Sequence, residues 1–146
     1  TSVLFASATT AAITGLTSSC AAYDPGSFNV SINAPGPGRI HVSAVVWYRL
    51  DHTSGTKEDV RMNIATSQTS CPSELLIGSS YGTYAQTIPA SATTDATMDN
   101  TASMEHMHTV SSAGPVTFYV NGIMPNGAST GDQFWYGILT ATYYPN

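Results

Sequence analysis

One pattern is written twice in this chain, and it limits the fold more than any other feature. Residues 28–44 read FNVSINAPGPGRIHVSA, and residues 108–122 read HTVSSAGPVTFYVNG. Each copy is an alternating run, a tight turn rich in Gly and Pro, and a second alternating run. Alternation of period two on both sides of a breaker is the mark of antiparallel strands joined by a turn. The two copies are expected to form equivalent, hairpin-like corners of one β-sandwich.

Residues 39–51 carry the strongest strand signal. Ile40, Val42, Ala44, Val46, Tyr48 and Leu50 fall on one side, and His41, Ser43, Val45, Trp47 and Arg49 on the other. The first set is apolar throughout and is expected to face the core. Val45 and Trp47 make the second side only half wet, or leave it for a neighbouring subunit. Further strands are expected over 2–14, 28–32, 60–66, 75–77, 81–88, 104–110, 116–124 and 134–144. Loops are expected over 16–26, 68–72 and 125–132. Residues 89–101 hold no large apolar residue except Met98 and read as a long exposed loop. No stretch reads as a helix. Eight to ten short strands in 146 residues predict a single all-β domain over 1–146, an antiparallel sandwich of jelly-roll type.

Composition narrows the setting. Charged residues make up 9% of the chain, against about 25% in an average soluble protein. Ser and Thr supply 38 of the 146 positions, and Lys occurs once, at Lys57. A hydroxyl-covered surface is expected of a secreted or surface-displayed protein. Four basic residues and a net charge of −5 argue against nucleic acid, whose phosphates need clustered cations. No apolar run approaches the roughly 20 residues of a membrane helix. The chain starts at Thr1 without a signal-like segment, as expected after removal of a signal peptide or after trimming. Cys20 and Cys71 fit one disulfide; two separate thiols, or bonding between subunits, are the alternatives.

Chemistry-bearing constellations are few. Met104, His106 and His108 would share one face of a strand, and imidazole with thioether suits copper. A water-facing strand with two exposed histidines is the simpler expectation, with His41 and His52 the only further imidazole donors. At a subunit interface, protonation of His106 and His108 below about pH 6.5 would loosen the contact. Asp95 and Asp99 lack a calcium-loop spacing. The acids show no paired-carboxylate motif, and G-x-S-x-G is absent, so no catalytic residue and no cofactor are expected. Asn29-Val30-Ser31 is an N-glycosylation sequon inside a predicted strand. Trp47, Trp135, Tyr81 and Tyr84 are the candidates for exposed aromatics, with core packing the simpler expectation for any single one of them.

The run Phe28-x-Val30-x-Ile32, a Pro-Gly turn and Ile40-x-Val42-Ser43-Ala44 resembles the strand–turn–strand of the C1q and tumour-necrosis-factor-like jelly rolls. Residues 134–139, FWYGIL, are similar to the segment that closes C1q domains, and Val3-Leu4-Phe5-Ala6-Ser7 to their short first strand. The resemblance implies a ten-strand sandwich packed as a trimer through aromatic and aliphatic outer faces. It implies no active-site residues, because that family shares none.

Together these readings predict a secreted structural subunit of a homo-oligomer, a trimer or an extracellular fibre, and not an enzyme. Val3, Leu4, Phe5, Val45, Trp47 and Trp135 are the expected interface residues. In a fibre, residues 1–14 would be exchanged between subunits. The alternative is a module that binds carbohydrate or a cell-surface ligand through end loops and exposed aromatics.

Overall fold

The computed structural model describes residues 4–72 and 82–146, so Val3, Tyr81 and the strand expected over 75–77 lie outside the described residues. The described residues contain ten strands and no helix: β1 (Phe5–Thr10), β2 (Thr14–Gly15), β3 (Ala21–Ala22), β4 (Asn29–Ala34), β5 (Gly38–His52), β6 (Glu58–Ala65), β7 (Thr83–Ile88), β8 (Ala96–Val110), β9 (Gly114–Asn126) and β10 (Gln133–Pro145). They form two five-stranded sheets. The first runs β1–β10–β5–β8, with β2 also pairing β10; the second runs β3–β9–β6–β7, with β4 also pairing β9. Every pairing is antiparallel. The chain is a jelly-roll β-sandwich.

The twice-written pattern is not a pair of hairpins. β4 lies in the second sheet and β5 in the first; β8 lies in the first and β9 in the second. Each tight turn therefore carries the chain from one sheet to the other. The two arches lie side by side, because β4 pairs β9 (Ala34↔Gly114) and β5 pairs β8 (Gly38↔Val110). Both turns need glycine. A Cβ on Gly38 would stand 2.4 Å from the Tyr144 carbonyl oxygen, and Gly114 takes φ +146°.

β5 sits at the centre of the first sheet, between β10 and β8. Its inward residues Ile40, Val42, Ala44, Val46, Tyr48 and Leu50 are each no more than 1% exposed. Burying the five larger ones stabilises by on the order of 10 kcal/mol before chain entropy is counted. Val30, Ile32, Val60, Met62, Phe118 and Val120 meet them from the second sheet. The segment read as loop over 16–26 carries β3 and two core residues, Leu16 and Tyr23. Tyr23 stacks on Phe134 with ring centroids 4.4 Å apart.

The expected loop over 89–101 is shorter, because β8 already begins at Ala96. Its small residues give no apolar signal. They pair by backbone with the other end of β5, from Ala96↔His52 to Thr101↔Trp47. Cys20 and Cys71 form a disulfide with Cα atoms 5.9 Å apart. It ties the start of β3 to the segment after β6, where Asn121 Nδ2 also donates to the carbonyls of Ser67 (2.7 Å) and Ser70 (2.8 Å).

Candidate functional site

The outer face of the first sheet is where surface and chemistry meet. Strand alternation sends Arg39, His41, Ser43, Val45, Trp47 and Arg49 of β5 outward. β10 departs from alternation. Its register with β5 shifts between Phe134 and Tyr136. This bulge leaves Phe134 buried, lets Trp135 and Tyr136 both face outward, and returns Gly137 to the interior. Gly137 must stay small, since a Cβ there would stand 2.5 Å from Phe28 Cζ.

The bulge sets Tyr136 opposite Trp47, and their rings meet edge to face at 5.2 Å. Ile138 pairs Val45 in the adjoining row, with Thr9 of β1 beyond it. Ser7, Thr140 and Ser43 form a hydroxyl row. Phe5, Thr142, His41 and Met107 follow. Of the sequence-expected interface residues, Leu4 and Phe5 are exposed, Trp47 is exposed at 37%, and Val45 is half-buried on the same face. β1 pairs with β10 of its own chain.

Trp135 is half-buried, and the Arg49 guanidinium lies 3.9 Å over its ring. Its indole N–H donates to Gln133 Oε1 at 3.1 Å. Arg49 is held in turn by Asp99, with Nε–Oδ1 at 2.7 Å and Nη2–Oδ2 at 3.2 Å. This two-point hydrogen bond lowers the Asp99 pKa and raises that of Arg49. At the opposite end of the face Arg39, Met107, Tyr144, Pro145 and Asn146 line an open cavity of about 460 Å³.

His106 and His108 do share a side, but it is the inward one. Glu105, Met107 and Thr109 take the exposed positions of β8. The two imidazoles therefore lie at the seam between the sheets, not on an outer face. His41 is on the opposite side of the sheet, where it faces Glu105 at 3.9 Å, and His52 pairs with Glu58 at 3.2 Å at the far end of β5. Among the described residues no three His, Cys, Asp or Glu side chains gather as a metal site. Asp95 accepts from Ser54 N–H (2.6 Å) and Asp99 is engaged by Arg49, so they do not act together. The sequon residue Asn29 lies in β4 with its amide donating to the Pro25 carbonyl at 2.8 Å.

Sequence reading missed a polar network at one end of the sandwich. Asp132 is fully buried and accepts from the N–H groups of Asp51 (2.8 Å) and Ser129 (2.6 Å). Asp59, 1% exposed, accepts from Thr87 (2.7 Å) and Asn126 (2.6 Å). For Asp132 the available signal was position: it adjoins the start of β10, where backbone N–H groups need acceptors, whereas the side-chain donors of Asp59 come from β7 and β9 and leave no local signal.

No family model matches the chain, and no curated protein matches it. Solved structures do. The VP2 protein of infectious bursal disease virus, in derived T=1 particles, is similar at 12% identity and a TM-score of 0.40, over 95% of this chain and 31% of that one. The Gt strain of the same virus gives 13% and 0.42, over 97% and 34%. The chain thus spans about a third of the length of these viral chains. Eiger TNF from S. frugiperda is similar at 13% identity and a TM-score of 0.40, over 99% of this chain and 96% of that one. Identities of 12–13% and TM-scores of 0.40–0.42 leave the likeness at the level of overall fold.

Proposed function

We propose that this chain is a secreted structural subunit that associates with copies of itself through the outer face of the β1–β10–β5–β8 sheet. One observation carries the reading. The large hydrophobic residues found exposed among the described residues are Leu4, Phe5, Ile13, Trp47, Met107, Tyr136 and Tyr144, and all seven belong to this sheet or to the segments flanking β1. Phe5, Trp47, Met107, Tyr136 and Tyr144 take outward positions of the sheet, and a concentration of this kind on one face is characteristic of a protein–protein contact. Strands of 6, 13, 15 and 15 residues, at about 3.3 Å per residue and about 4.8 Å apart, offer roughly 750 Å², close to the about 800 Å² per partner of a standard interface. The disulfide and the low charge support an extracellular setting. A trimer and a filament both use such a face, and in neither is the chain an enzyme.

The glycan-binding alternative gains no comparable support. Of the two tryptophans it would use, Trp135 is covered by Arg49, and Trp47 packs edge to face on Tyr136. Light scattering and sedimentation of native protein test the proposal. Wild type is expected as a homo-oligomer, and Trp47→Lys with Tyr136→Lys as a monomer of unchanged thermal stability. A wild type that stays monomeric at high concentration overturns it.

A further inference from the structure

Two histidines on the inward side of β8 stand where the sheets meet, with no charge to receive them among the described residues. The His106 and His108 ring centroids are 6.0 Å apart, and the His108 ring meets the fully buried Phe118 of β9 edge to face at 5.3 Å. His106 Nδ1 is buried and has no hydrogen-bond partner among the described residues. Gly82, just before β7, closes over His106: a Cβ there would stand 2.8 Å from His106 Cβ and 3.4 Å from Ile64 Cβ.

Among the described residues, the groups facing the pair are apolar or neutral. β5 contributes Ile40 and Val42, β9 Phe118, and β6 Ile64. Tyr84 of β7 is bonded to Tyr48. Glu105 and His41 lie on the outer side of the sheet. Glu58 is six residues along β6, roughly 20 Å from Ile64.

We propose that His106 and His108 close the seam between β8 and the second sheet as an acid-sensitive latch, which protonation of His108 opens. Burial, and then the neighbouring His106, lower the His108 pKa below its ordinary value. The sign follows. A histidine whose folded pKa is lowered binds protons more readily when its surroundings open, so closure is fully stable above about pH 6.5 and weakens as pH falls below it. Each proton taken up on opening raises the opening constant by up to about tenfold per pH unit. If the assembly proposed above is correct, opening also disrupts the face to which β8 contributes Thr101, Ser103, Glu105 and Met107.

Hydrogen-exchange mass spectrometry of dilute protein from pH 7.5 to 5.0, corrected for intrinsic rates, tests the latch. Wild type and His41→Gln are expected to lose protection at least tenfold in residues 102–120, with β10 retained. His106→Gln/His108→Gln is expected to show no such pH dependence. Proton NMR of the wild type tests it without substitution, with the His108 ring expected to titrate below pH 6.5. Loss of protection spread evenly over all strands overturns the latch. So does the same loss in the double variant, or titration of His108 at or above pH 6.5. Light scattering run alongside separates the two ideas: a monomer at every pH refutes self-association, while exchange alone decides the latch.

Discussion

Asp132→Asn is the substitution whose cost the structure fixes best. The carboxylate is 0% exposed, and its two oxygens receive two backbone N–H groups, Asp51 on one and Ser129 on the other. The backbone of Asp132 is held as well, its N–H on the Ser129 carbonyl (3.2 Å) and its carbonyl on Leu16 N–H (2.9 Å). Asparagine has the same shape but one acceptor. One N–H then faces an NH₂ group and loses its partner, a cost of about 1.5–3 kcal/mol for a bond to a charged group. The surviving bond falls from charge-assisted to neutral, about 1 kcal/mol more. Removing a buried charge without a counter-ion returns part of this, on the order of 1 kcal/mol. The net expectation is a loss of about 1.5–3 kcal/mol, against a total stability of roughly 5–15. In urea the midpoint should fall by roughly 1–2 M at unchanged slope. Asp132→Ala leaves both N–H groups bare and should cost more. An Asp132→Asn variant within about 0.5 kcal/mol of wild type would show that water satisfies the loop, and the reasoning would fail.

Two further outcomes are expected. Replacing both Cys20 and Cys71 by Ser removes a cross-link spanning 51 residues, which should cost up to about 4 kcal/mol in urea unfolding; a loss under about 1 kcal/mol would show that the Asn121 bonds alone hold the segment. Burial works against ionisation of Asp59, but hydrogen bonds from Thr87 and Asn126, with Lys57 and Arg61 nearby, hold its pKa below the ordinary value. Its stabilisation is therefore present above about pH 4 and is lost as pH falls through the lowered pKa. Asn126→Ala should lower stability at pH 7 and flatten the acid limb of the profile below pH 4, and an unchanged limb would count against this account.

Much of the sandwich was legible because its central strand is long and regular. β5 alternates over its whole length, so the core-facing set could be read directly. β8 was legible only from Met104 onward. Its first half pairs through backbone and packs small residues, and neither leaves an apolar period. The side taken by His106 and His108 was recoverable, since Ser103, Glu105 and Thr109 on the opposite set favour water. The arches were misread as hairpins because alternation shows that strands exist, not which sheet each joins. The disulfide needed only two cysteines and an extracellular composition.

The bulge in β10 is the step that ties fold to surface. Counting back from Gly137 and Leu139, which face inward, strict alternation would bury Trp135 and expose Phe134. Phe134 instead stacks on Tyr23, and its ring edge fills the space over Gly122, where a Cβ would stand 2.5 Å from Phe134 Cζ. One extra residue reconciles the two ends of the strand, and its consequence is two adjacent aromatics on the outside. The interior needs the phase shift; it does not need the shifted residues to be Trp and Tyr. On the second sheet the outer face pairs Ser31 with Thr117 through a 2.6 Å hydrogen bond and carries the half-buried ring of Tyr119. Large rings at Trp135 and Tyr136, set beside Trp47 on the face that also exposes Phe5, are where the self-association proposed above would make its contact.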